Sequence, residues 1–348
     1  MTERVKWIDF SKVIGIWLVV LGHMGLANAT IINIIYSFHM PLFFFISGYL
    51  VKPKSLKNTI KKNFIALIIP YVIYYVLTWI WWIFVSYLRH PELFNHEHPV
   101  REIFIKPILG LLLGVGYNTD ISTMINVPLW FLISLFFVSI LFSLLQKITN
   151  KYFVILIVLI EAIVSYALSV LQIDLLFSVD SSLMAFPFYV LGYYGKNVLN
   201  NENIFSLFQK KKFLKLIVQL IIFSSILIIT TIYNGRVDIN GLSFGKNPLI
   251  FYISGMSGIV CVVIVSILFS KFYNDIIITI SNGTLFIMAF HGIITGLLLL
   301  PLKMMHLDDN IIAIITVSLL VIVISIPIIS LVKKKYPMLI GNRTTAST

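Results

Sequence analysis

Residues 37–50 read SFHMPLFFFISGYL, and how this stretch is read decides the fold. Leu42 to Ile46 and the flanking residues are fit for lipid, yet His39 is titratable and Pro41 follows two residues later. Extended back to Ile31, the apolar window reaches about 20 residues, enough to cross ~30 Å of hydrocarbon as a helix. The rest of the chain has the same character. It is 348 residues long, 59% hydrophobic and only 11% charged, too apolar for a soluble domain with an ordinary surface. The net charge of +12 does not point to nucleic acid, because the lysines punctuate apolar runs instead of gathering on one solvated face.

Windows of spanning length begin near Phe10, Ile31, Phe64, Val127, Tyr152, Ser181, Phe213, Pro248, Ile276 and Ile311. The expectation is an all-α polytopic membrane protein with about ten transmembrane helices. Basic residues collect at Arg4/Lys6/Lys12, Lys52 to Lys62, Lys147/Lys151, Lys196 to Lys212, Lys271 and Lys333 to Lys335, in every second connection. By the positive-inside rule these face the cytoplasm, as do both termini. The connections around 89–101, 173–180, 234–247 and 301–310 then face outward. Ile103 to Gly116 is apolar but only about 14 residues long, which suits a re-entrant or interfacial piece.

One membrane domain over residues 1–340 is expected, followed by a polar tail at 341–348. Arg4 and Lys6, the apolar run and LANA (26–29) together have the outline of a signal peptide. Gly22 and His23 interrupt that run just before the cleavage-like site, so the segment reads as a retained helix. Cys261 is the single cysteine, which leaves no intrachain disulfide possible.

Few ionisable residues fall away from the span ends: His23, His39, Glu161 and His291. Charge at bilayer depth is costly, so such residues are functional candidates. Counted along the helices, His23 lies ~7 Å and His39 ~12 Å from the outer ends, and His291 is ~22 Å from an inner end near Ile276. All three belong to the outer half. Pro41 has no N–H to offer the carbonyl of Ser37, so a loosened turn is expected around His39. Lys12 and His23 are eleven residues apart, three turns and ~16 Å on one face, and Asp9 is spaced to pair with Lys12.

These residues resemble the membrane-bound acyltransferase family 3, whose members O-acylate glycans of bacterial envelopes. That family carries an Asp, two residues, an Arg, ten residues and a His on its first helix, then a Phe-rich second helix ending in Ser-Gly-Phe or Ser-Gly-Tyr. The matching residues are Asp9, Lys12 and His23, then FHMPLFFFISGYL with His39, Ser47, Gly48 and Tyr49. PLWFLISLF (128–136), FPFYVLGYYGK (186–196) and SNGTLFIMAFHG (281–292) are also similar, so the likeness covers nearly the whole chain. One position departs from the pattern. Lys12 keeps the charge of the family's Arg but not its planar fork. No sign of the soluble esterase-like domain of some relatives is seen.

The resemblance implies an O-acyltransferase of the bacterial cell membrane, with acetyl-CoA as donor substrate, no permanently bound cofactor, and a glycan or lipid-linked sugar as acceptor. Besides the lipid bilayer, polysaccharide export machinery is an implied partner, and nucleic acid is not. Lys12 and the loop with Lys52, Lys54, Lys57, Lys61 and Lys62 offer a positive field to the anionic donor. His23 is the expected general base, since a neutral imidazole titrates near 6.5. His39 is expected to orient the acceptor or donate to the oxyanion. Asp9, Lys12, Ser47, Lys61, Lys62, Glu161 and His291 complete the candidate binding set, with Ser47 and Gly48 as packing residues more than nucleophiles. The cluster His90, Glu92, His96, Glu97 and His98 sits in a solvated loop, and no metal site is expected there. The competing class is a proton-coupled transporter or flippase, whose pointer, paired broken helices in two related halves, is absent.

Overall fold

The computed structural model describes residues 4–26, 28–89, 91–94, 99–116, 119–196, 210–307 and 310–340. Its thirteen α-helices are α1 (Lys6–Gly22), α2 (Ala29–Leu50), α3 (Leu56–Asn63), α4 (Ile69–Arg89), α5 (Lys106–Leu113), α6 (Trp130–Leu145), α7 (Lys151–Leu171), α8 (Val179–Gly195), α9 (Lys210–Asn234), α10 (Pro248–Phe269), α11 (Asp275–Asn282), α12 (Thr284–Met304) and α13 (Ile311–Lys335). Among the described residues no strand forms beyond an isolated bridge between Asp238 and Ser243. Asparagines cap α2, α7, α10, α11 and α13, each side chain accepting from the backbone N–H two or three residues on.

Among the described residues, eight segments are long and apolar enough to cross a membrane. With α1 and α8, at 17 residues each, they match the ten windows of the sequence. This is an all-α polytopic membrane protein. The window near Ile276 differs from the expected single helix. It breaks at Gly283 into α11 and α12, and there Ile329 of α13 packs so close that it leaves no room for a Cβ at residue 283. Leu56–Arg89, at 34 residues, exceeds one crossing, and a π turn at Phe64–Ile68 separates exposed α3 from α4. Pro70 follows directly, and its missing N–H is the local cause of the altered ladder.

The contacts group into two compact units, one from Met1–Lys52, Ala185–Ile239 and Ser243–Ile340, the other from Pro53–Met184 with Asn240–Leu242. In the first, α1 is the central helix and touches α2, α10, α11, α12 and α13. Lipid supplies no hydrophobic drive between helices, so close packing and polar pairs hold them. Ser11 shares a hydroxyl bond with Ser266 of α10 at 2.9 Å, and the Trp17 indole donates to Ser318 of α13 at 2.9 Å. The α2 and α8 helices cross backbone to backbone through reciprocal glycines. A Cβ at Gly48 would sit 1.9 Å from the Tyr189 carbonyl oxygen, and one at Gly192 2.0 Å from that of Phe45. Gly192→Ala is therefore expected to cost about 1–3 kcal/mol of stability. Thermal unfolding in detergent checks this, and a Gly48→Ala/Gly192→Ala double variant should lose less than the sum, because both side chains push on one crossing.

In the second unit the stretch from Arg101 to Leu113 is a π turn followed by α5, too short to span, and α5 ends at Gly114 with φ +59°. Side chains of α4 hold its carbonyls. Tyr75 donates to Pro107 at 2.7 Å, Tyr71 to Leu111 at 2.9 Å, and the Trp79 indole to Ile103 at 3.1 Å. Such satisfaction is what permits irregular backbone at membrane depth.

Candidate active site

At its first turn α1 buries Asp9, which is 4% exposed. Arg4 grips the carboxylate with two donors, Nε to Oδ2 at 2.6 Å and Nη2 to Oδ1 at 3.1 Å, and Nη2 reaches Asn282 at 2.8 Å. The Tyr273 hydroxyl donates to Oδ2 at 2.6 Å, and the Ser281 hydroxyl donates to Oδ1. The hydrogen bond to Asp9 raises the Arg4 guanidinium above its ordinary value. Burial and the bond to Asp9 push the Tyr273 phenol up to about 12, so it remains a donor at neutral pH. Both carboxylate oxygens are thus occupied, and Asp9 ties α1 to the turn before α11 and to the end of α11.

The expected pairing of Asp9 with Lys12 therefore does not form. Residues 264 and more positions away outcompete a neighbour at helical spacing. Among the described residues, Lys12 Nζ has no ion pair or hydrogen bond, although the residue is half-buried. A half-buried ammonium without a protein partner is open to an anionic ligand.

The far end of α1 carries the histidines. The helix stops at Gly22, with His23 as its C-cap at φ −101°, ψ 7°, and Gly25 turns the chain at φ +72°. His23 therefore caps the helix rather than lying about five residues inside it. Its ring centroid lies 5.1 Å from that of His291 on α12 and 6.2 Å from that of Tyr36 on α2. Tyr36 in turn lies edge-on to His39, 4.9 Å away. Four rings from three helices form one continuous cluster. His39 and His291 are each 2% exposed, while His23 is exposed.

Each imidazole is anchored the same way. Nδ1 of His23 meets the Val19 carbonyl at 2.7 Å, that of His39 the Ile35 carbonyl at 2.7 Å, and that of His291 the Met288 and Ile287 carbonyls at 2.8 and 3.1 Å. A carbonyl only accepts, so Nδ1 carries the hydrogen and, in the neutral ring, Nε2 keeps its lone pair. All three rings are thereby fixed in the tautomer of a base. For His39 this removes the expected role of oxyanion donor, because its one N–H is spent on Ile35. The loosened turn expected around His39 does not interrupt the helix. The α2 helix runs unbroken, and the Ser37 carbonyl faces α10 at Gly255, where an added Cβ would lie 3.3 Å away.

A family model described as an acyltransferase domain matches residues 5–330. The chain belongs to acyltransferase family 3. Searches of curated proteins and of solved structures found no match. A membrane acyltransferase of this family thus has a ring cluster at one end of its central helix and an unpaired lysine three turns away. Two of the family-like stretches find their place in this arrangement. In SNGTLFIMAFHG, Ser281 binds Asp9 and His291 meets His23, so the segment serves both ends of α1. In FPFYVLGYYGK, Gly192 makes the crossing with α2.

The other candidates belong to other elements. Ser47 is half-buried beside the Gly48 crossing. Lys61 and Lys62 are exposed on α3 of the second unit. Glu161 belongs to α7 of the second unit, with one carboxyl oxygen buried and unpartnered. His90, His96, Glu97 and His98 lie outside the described residues, and among those described no group of His, Cys, Asp and Glu is placed to hold a metal. Sequence reasoning missed Arg4, Tyr36, Tyr273 and Ser281. It also missed Arg236, whose Cζ lies 3.3 Å above the Tyr36 ring centroid. Only an arginine in a connection read as external hinted at the last.

Proposed function

We propose that the chain moves an acetyl group from cytoplasmic acetyl-CoA to a hydroxyl of an envelope or exopolysaccharide sugar, with His23 as general base. The observation that carries this reading is the placement of His23, an exposed residue at the end of α1. Its Nδ1 is tied to Val19 and its Nε2 is left bare at the end of the helix that bears unpaired Lys12. In the transfer, Nε2 takes the proton of the acceptor hydroxyl as its oxygen attacks the thioester carbonyl. The C–S bond then breaks, and the imidazolium returns the proton to the departing thiolate. Lys12 receives the anionic part of the donor, and the pantetheine arm lies along α1 over the ~16 Å between the two residues. His39, closed off from the acceptor, stands edge-on behind Tyr36 and helps position that ring beside His23.

The test uses purified protein, labelled acetyl-CoA and surface glycan prepared from cells lacking the protein. The expected result is label in the glycan with one CoA released per acetyl transferred. Movement of glycan across vesicles without CoA release would replace this reading with transport. Burst release of CoA before any acceptor is added would assign an acyl-histidine relay in place of direct transfer.

A further inference from the structure

The hairpin between α9 and α10 is rigidly built and aims one cation at the ring cluster. Asn234 closes it, donating to the Phe244 carbonyl at 2.7 Å and accepting from the Asn247 and Lys246 backbone N–H groups at 2.7 and 2.9 Å through its side chain and its carbonyl. Gly245, at φ +72°, lets the turn lie against Asn234, where a Cβ would meet the carbonyl oxygen at 2.5 Å. Asp238 and Ser243 pair in both directions at 2.9 and 2.8 Å. The result is that Arg236 Cζ stands 3.3 Å over the ring of Tyr36, the residue between His23 and His39 in the ring cluster.

Three features of Arg236 call for a ligand. It is exposed, and no carboxylate among the described residues forms an ion pair with it. Its Cζ stands 3.3 Å over the Tyr36 ring, and the guanidinium N–H groups not turned to Tyr36 are donors of the kind that hold a carboxylate or phosphate. It also stands in a connection read as external, against the bias that keeps arginine inside, next to Lys246 over the Tyr233 ring at 5.6 Å. Asp238 stands in the same hairpin, and its charge and that of Arg236 both act on His23, so the hairpin borders the site rather than a distant surface.

We propose that Arg236, held on Tyr36, anchors the acceptor, and that the acceptor carries an acidic group, carboxylate or phosphate, close to the hydroxyl that is acylated. This deepens the acyl-transfer reading and rests on it. Arg236 binds and orients. It takes no proton in the reaction.

Surface glycan from cells carrying wild-type protein, Arg236→Gln, Arg236→Lys or His23→Ala is compared by mass and linkage analysis. The expected result is an acyl increment, absent with His23→Ala, on a uronic acid or phosphate-bearing sugar or its direct neighbour. Arg236→Gln should lower it at least 10-fold at equal protein level, and Arg236→Lys should retain part of it. In vitro, tri-galacturonate or inorganic phosphate should inhibit wild-type transfer but not residual transfer by Arg236→Gln, and whichever inhibits identifies the acidic group. An increment on a glycan without acidic groups overturns the inference alone, as does an increment undiminished by Arg236→Gln. Equal inhibition of both proteins by the acids does the same. Absence of any protein-dependent increment overturns the acyl-transfer reading itself.

Discussion

His23→Ala is expected to lower kcat for acyl transfer about 10²- to 10⁴-fold, the span that a positioned general base contributes. The expectation is specific to His23 although three imidazoles cluster. All three present a bare Nε2, but His39 and His291 are each 2% exposed, whereas His23 is an exposed residue at the helix end and so is the one placed to meet an incoming hydroxyl. Exposure also supplies a control. In His23→Ala the vacated space opens outward, so added imidazole should restore part of the rate. The same addition should do little for His39→Ala or His291→Ala, whose sites are closed. Because His23 is a helix cap and not a core side chain, its loss should leave the melting temperature nearly unchanged. A His23→Ala protein that transfers acetyl at the wild-type rate would remove it from the mechanism.

The fold was legible because lipid leaves a chain few options. A backbone that must satisfy itself inside hydrocarbon forms helices, and hydropathy with the lysine rhythm then marks where they lie. All ten windows correspond to helices of the structure. In the window near Ile276 the helix breaks at Gly283, which lies against Ile329 of α13, and no pattern local to residues 276–295 encodes a contact with residue 329. The site divides in the same way. Asp9, Lys12 and His23 stand out as polar groups on an apolar helix, so their presence was readable. Their partners were not. Helical spacing predicts an Asp9–Lys12 pair, but Asp9 is bonded by Arg4, Tyr273 and Ser281, and two of these come from the other end of the sequence. Counting residues placed three histidines at similar depth. It could not show that Tyr36 links two of them, or that a hairpin 200 residues away lays Arg236 across that link.

The fate of Lys12 follows from what Asp9 does. Had the two paired, Lys12 would be a structural ion and its removal would strand a buried carboxylate. Because Arg4 neutralises Asp9 instead, Lys12→Met removes no hydrogen bond or ion pair seen among the described residues and should leave the melting temperature nearly unchanged. Its effect should fall on the donor. A hydrogen bond to a charged group contributes about 1.5–3 kcal/mol, so KM for acetyl-CoA should rise roughly 10- to 100-fold, with the loss on KM more than on kcat. The family pattern has arginine at this position, and a guanidinium binds phosphate with two parallel bonds where an ammonium acts as a point charge. Lys12→Arg is therefore expected to keep the wild-type KM or lower it. Dephospho-CoA thioester, which lacks the 3′-phosphate, should show whether that phosphate is the group held. If so, wild-type protein loses affinity on the change of donor and Lys12→Met does not. If Lys12→Met instead unfolds more easily and binds acetyl-CoA as wild type does, the lysine serves α1 and the donor enters elsewhere.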